Sequence, residues 1–189
     1  MDAAKSGTRP YRLGAFVDGV GWIEHKYGRV WQQEPTRLIA APDKDQIALT
    51  LNLVEGLQEP FRVLYVLLVP RDDQKDEGRF EMMQLLSREE LSAFLLRYRE
   101  LFENDGRHHL WVTASDDDAS IVYDQHNVLF LYGPSERFTK VLNAAGLAEG
   151  EVVYPSPHSH HYHAENDAAL DDMLERYEWQ WYPLDTRTD

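Results

Sequence analysis

The sequence predicts an α+β fold, with a mixed, largely antiparallel sheet packed against about four helices in one domain. Apolar residues alternate with period two in several short stretches bounded by turn residues, and they recur at helical spacing in others. The regular strand–helix alternation of a doubly wound fold is missing. With 189 residues and 43% apolar side chains, the chain has enough material for an ordinary hydrophobic core.

Residues 1–10 read as a disordered leader, leaving 11–189 for the domain. Arg12–Val17 reads as a strand closed by the turn pair Asp18-Gly19. Trp22–His25 and Arg29–Gln33 are expected to pair as a hairpin around Lys26-Tyr27-Gly28, with Thr36–Ala41 as a further short strand. Pro42-Asp43 then opens a helix. Asp43 is placed to cap it, Gln46 follows three positions on, Ile47, Leu51 and Val54 share a face, and Gly56 ends it. Phe61–Val69 is the clearest strand, apolar on both sides and therefore central. A charged loop from Pro70 to Gly78 precedes a strand over Phe80–Leu86.

Ser87 and Glu90 form a capping box ahead of a helix whose stripe is Leu91, Phe94, Leu95, Tyr98, Leu101 and Phe102. Asn104-Asp105-Gly106 stops it. His109–Ser115, Ser120–Asp124 and Val128–Tyr132 read as an antiparallel meander, separated by Asp116-Asp117-Asp118 and Gln125-His126-Asn127. A short helix follows Gly133-Pro134-Ser135, with Phe138, Val141, Leu142 and Ala145 on one side and Gly146 at its end. Glu151–Tyr154 reads as a strand and Pro155–His163 as extended loop, because proline disfavours helix at the residue before it. Asn166 caps a last helix carrying Leu170, Met173, Leu174 and Tyr177, and the aromatic tail Trp179–Tyr182 packs on the body.

Composition excludes several functions. There is no cysteine, which removes disulfides, thiolate nucleophiles, thiolate zinc sites and iron–sulfur clusters. The net charge of −14 repels nucleic-acid phosphates and anionic membranes, while it suits a basic protein partner or a bound cation. The start of the chain lacks a signal core and no apolar run is long enough to span a bilayer, so a cytoplasmic address is the default expectation. Gly-rich phosphate loops, nucleophile elbows and His-Glu-x-x-His are absent from the sequence.

The distinctive segment is Pro155-Ser156-Pro157-His158-Ser159-His160-His161-Tyr162-His163. In an extended chain His158 and His160 lie on one side, about 6–7 Å apart, and His161 and His163 form a second pair on the other. Neutral imidazoles so spaced can share a divalent metal such as zinc, nickel, copper or iron. A third ligand would come from His108, His109, Asp116 or Glu165. The structural alternative is a polar surface loop, with histidines stacked on Tyr154 and Tyr162 and Glu165 close by as part of a binding surface. Asp18 and Asp116–Asp118 resemble the carboxylates of metal-dependent nucleases only superficially, since each stands where a turn needs polar residues. Trp22, Tyr27 and Trp31, with Trp179, Trp181 and Tyr182, are candidates for a contact surface or for core.

Two functional expectations follow. The leading one is an acidic cytoplasmic binding or adaptor protein that neutralises or chaperones a basic partner, in the manner of an immunity protein or secretion chaperone. The alternative is a metal-binding protein or metal-dependent enzyme centred on His158, His160, His161 and His163. Enzymatic activity and oligomeric state stay open at this level.

Overall fold

Short alternating segments give strands, and capped amphipathic segments give the helices that cover them. The computed structural model describes residues 12–71 and 76–184. The strands and helices run β1 (Leu13–Val17), β2 (Gly21–Glu24), β3 (Val30–Gln33), β4 (Leu38–Ala41), α1 (Gln46–Glu55), β5 (Phe61–Leu67), β6 (Gly78–Met82), α2 (Arg88–Arg97), α3 (Arg99–Asn104) and β7 (His108–Ala114). They continue with β8 (Ala119–Tyr123), β9 (Leu129–Tyr132), α4 (Ser135–Ala144), β10 (Ala148–Glu149), β11 (Ser159–His160), α5 (Asp167–Arg176) and β12 (Trp179–Tyr182). The α+β architecture is as the sequence predicts. The leader expected over residues 1–10 and part of the charged loop before β6 lie outside the described residues.

A nine-stranded sheet has the order β10-β3-β4-β9-β8-β7-β5-β6-β12, and a three-stranded sheet has the order β11-β1-β2. Every pairing is antiparallel except β10 with β3. The helices bury their apolar stripes on one face of the large sheet. Ile47, Leu53, Phe94, Phe102, Phe138 and Met173 meet Val63, Tyr65, Leu110 and Ile121 there. Fully burying an aromatic such as Phe94 contributes about 1.5–3 kcal/mol. Strand β4 is buried along its whole length: Leu38 and Ala40 belong to this core, while Ile39 and Ala41 join Leu13, Tyr27, Val128 and Val152 in a smaller cluster. Through Leu13 that smaller cluster ties the three-stranded sheet to the large one.

The meander, the Ser87–Glu90 capping box, and the apolar stripe from Leu91 to Phe102 form as expected. Several local expectations do not. Strand β2 pairs with β1 and β3 with β4, so the segments flanking Lys26-Tyr27-Gly28 belong to different sheets and make no hairpin. Asp43 does not cap α1. It accepts a hydrogen bond from Arg29 at 2.9 Å, and the helix starts behind Asp45 in a left-handed conformation. The single helix expected over Leu91–Phe102 divides at Tyr98 into α2 and α3. Residues Glu151–Tyr154 form no strand, because Val152 N–H donates to the Gln32 side chain instead of a ladder carbonyl, and the short strand falls earlier, at β10. The tail forms β12 against β6, where Trp179 is half-buried and Trp181 and Tyr182 are exposed. Tyr27 and Trp31 are buried, and Trp31 Nε1 donates to Asn143 Oδ1 at 3.0 Å, so these two are core rather than contact surface. Among the described residues no helix is long and apolar enough to cross a membrane.

Candidate metal centre

Two backbone devices bring three histidines together. The first is the turn from β8 to β9. Asp124 N–H donates to Val128 O at 3.0 Å and Asn127 N–H to Asp124 O at 3.0 Å, with Asn127 at a left-handed φ of 64° that asparagine tolerates. The Tyr123 hydroxyl donates to Asn127 Oδ1 at 2.7 Å and fixes the turn from below. His126 then stands at its tip, its N–H donating to Asp124 Oδ1 at 2.8 Å. The second device is β11, where His160 lies opposite Leu13 and Ser159 opposite Gly14. His161 N–H donates to Arg12 O at 2.9 Å, and Gly106 N–H to His161 O at 3.2 Å. Glycine at 106 is required by this approach, since a Cβ there would sit 2.8 Å from His160 Cβ.

His126, His158 and His160 each offer a ring nitrogen, and these atoms all lie within 4.8 Å of one another. The ring centroids form a nearly regular triangle, with separations of 5.0, 5.1 and 5.4 Å. Tetrahedral zinc with Zn–N of about 2.0–2.1 Å has its nitrogens about 3.3 Å apart, so the three rings would have to turn inward to share one ion. His126 Nδ1 lies 2.5 Å from Asp124 Oδ1 and His158 Nδ1 lies 2.9 Å from Pro155 O. With those nitrogens protonated, each ring keeps Nε2 as a free lone pair, the outer-shell arrangement that orients metal-binding histidines. His160 Nε2 is buried with no hydrogen-bond partner.

Electrostatics favours the ligand form. Burial foremost, then the neighbouring His126, Arg12 and His158, push the His160 pKa down to about 4, so the ring is neutral at pH 7. Burial works to raise the Asp124 pKa, but contacts with His109 and His126 overcome it and hold the carboxylate well below its usual range. His109 Nε2 lies 3.0 Å from Asp124 Oδ2, and His109 is not part of the convergent triangle. Arg12, fully buried, donates to the carbonyls of Phe102 and Asp124 and lies 4.9 Å from the centre of the Tyr123 ring.

The four-histidine segment therefore divides. His161 and His163 pair with each other at 4.8 Å, His161 lies 5.5 Å from Trp22, and neither belongs to the convergent triad. Glu165 lies in a short turn ahead of α5 and Tyr162 is exposed. Tyr154 borders the site 5.7 Å from His126, with burial first and then Asp124 raising its pKa to about 12. Of the third ligands expected, His108 is buried against Tyr65 and Phe102 and Asp116 is exposed in a turn beyond β7. Asp117 is engaged by Gln58 N–H and Arg137, and Asp18 lies in the β1–β2 turn. Among the described residues these aspartates form no convergent metal-ligand group. Sequence reasoning missed His126, treating Gln125-His126-Asn127 as a mere spacer. The Asp124-x-His126 spacing across a tight turn was the available signal. No protein-family model, curated protein or solved structure matches the chain.

Proposed function

We propose that the chain is a metal-binding protein that holds one divalent transition metal, zinc foremost, on His126, His158 and His160. The carrying observation is the convergence of the three imidazoles, two with Nδ1 engaged by oxygen acceptors and the third with a buried, unpartnered Nε2. Neutral imidazole suits zinc, and nickel or iron next. Asp124 supplies a compensating negative charge one layer out, and the acidic chain favours a cation. The test is metal analysis by mass spectrometry on protein purified without an affinity tag, followed by zinc titration. One equivalent that is lost in the His158→Ala/His160→Ala variant supports the reading. Metal far below one equivalent and indifferent to those substitutions overturns it.

A second reading, an adaptor for a basic protein partner, draws on the surface of the small sheet. Around the β1–β2 turn Phe16 is 77% and Val20 71% exposed, with Ile23 and the acidic Asp18 and Glu24 also exposed. Apolar residues rimmed by acidic ones suit such a partner. It predicts a salt-sensitive complex in a pull-down from native lysate, and a chain that stays alone at low salt counts against it.

A further inference from the structure

We infer that the three-histidine centre is of the hydrolytic type: its fourth coordination position is open to solvent, holds water as hydroxide, and serves the cleavage of uncharged esters. The inference rests on the metal-binding reading above. Structural zinc sites take four protein ligands, whereas catalytic sites take three, a set of three histidines among them, and leave the fourth position to water. The number of protein ligands therefore separates the two kinds of centre.

Among the described residues the convergent group consists of His126, His158 and His160. Asp124 does not join it. Its Oδ1 lies 2.5 Å from His126 Nδ1 and its Oδ2 lies 3.0 Å from His109 Nε2, so both oxygens are engaged one layer out. The rings differ in their access to solvent. The Nε2 of His160 is buried, and Gly106 is packed against that residue's Cβ. His158 is exposed, and so is every residue from Ser156 to Ser159. The triangle is thus closed at His160 and open at His158, and the open side admits water and a small molecule to a bound ion.

A divalent ion held by neutral imidazoles keeps its full charge and lowers the pKa of its bound water to about 7, so hydroxide forms without a protein base. The hydroxide oxygen bonds to the ester carbonyl carbon, the bond from that carbon to the alkoxide breaks, and the alkoxide takes the hydroxide's proton. The carboxylate product departs, a new water takes its place on the ion, and one proton passes to solvent. The chain's net charge of −14 repels anionic phosphoesters, which favours an uncharged ester as substrate. Tyr154 stands edge-on to His126 with the ring centres 5.7 Å apart, and it gives the site an aromatic border.

The experiment uses the full chain in two forms, loaded with cobalt(II) for visible absorption and with zinc for hydrolysis of para-nitrophenyl acetate. The inference expects azide to change the cobalt spectrum and to abolish the zinc-dependent hydrolysis. Histidine can itself act as a nucleophile, so the rate that counts is the part removed by a chelator and restored by zinc. That part should be missing from the His158→Ala/His160→Ala variant. If the protein binds one cobalt but azide leaves the spectrum unchanged, or if zinc adds nothing to the rate of the metal-free chain, the inference is overturned while the three-histidine reading stands. If the protein takes up no metal, both fall. Should the double variant fail to fold, chelator and azide acting on the wild-type protein decide alone.

Discussion

Asp124 touches two histidines at once, His126 at 2.5 Å and His109 at 3.0 Å, and is itself nearly buried. Its negative charge selects the His126 tautomer that leaves Nε2 free. An isosteric amide can accept a bond but carries no charge. Asp124→Asn is therefore expected to lower zinc affinity by about 10–100-fold, as loss of an outer-shell partner does, measured by competition with a chromophoric chelator. An unchanged affinity would place Asp124 outside the metal's influence. His108 makes a separate prediction, about stability. Burial first, then the charges of Arg12, His109 and Arg107, hold its pKa well below 6.5, so the unfolded chain takes up the proton before the folded one does. Its contribution is complete above pH 6.5 and is lost as pH falls below that value. Urea midpoints of metal-free protein should fall through that window, and His108→Leu should flatten the fall. The pairing of His158 with His160 was legible, because period two in an extended segment is a local property. The partnership with His126 was not, because it depends on β11 docking beside β1 and on the β8–β9 turn reaching the same place.

At the scale of elements, the capping box is a case where local sequence decides local structure. The Ser87 N–H donates to Glu90 Oε2 at 2.8 Å and Glu90 N–H donates to Ser87 Oγ at 3.3 Å. Ser87→Ala should destabilise the protein by about 1 kcal/mol, read by chemical denaturation, and a change near zero would show that packing alone sets the start of α2. The break at Tyr98 is the contrary case. The apolar stripe runs straight through it, so periodicity reads one helix. The Tyr98 hydroxyl donates to Asp172 Oδ2 at 2.7 Å, and Arg97 pairs with the same carboxylate, so contacts with α5 hold the junction. The mistaken hairpin has the same origin. Trp22–His25 has the alternation of a strand, but nothing in it names its partner, and β1 competes successfully with β3. Strand existence was legible for most of the chain, while pairing across sheets was a tertiary outcome.

For the whole molecule, the centre joins two bodies: His126 comes from the large sheet's β8–β9 turn, and His158 and His160 come from the small sheet's β11 and the residues leading into it. An ion that binds the folded chain alone stabilises it by about 2.7 kcal/mol when free metal is a hundredfold above Kd. Adding a chelator should therefore lower the thermal midpoint, and readdition of zinc should restore it. A midpoint indifferent to both would mean that no ion bridges the sheets. Besides Arg12, the small sheet is anchored by an apolar cluster of Leu13, Tyr27, Ile39, Ala41, Val128 and Val152, modest beside the core under the helices. Its amides should consequently exchange with solvent deuterium as a group, ahead of β5, β7 and β8, and slow down when metal is supplied. The ion would act as a rivet: pulling it out frees the flap of β1, β2 and β11 while the plate behind it stays rigid.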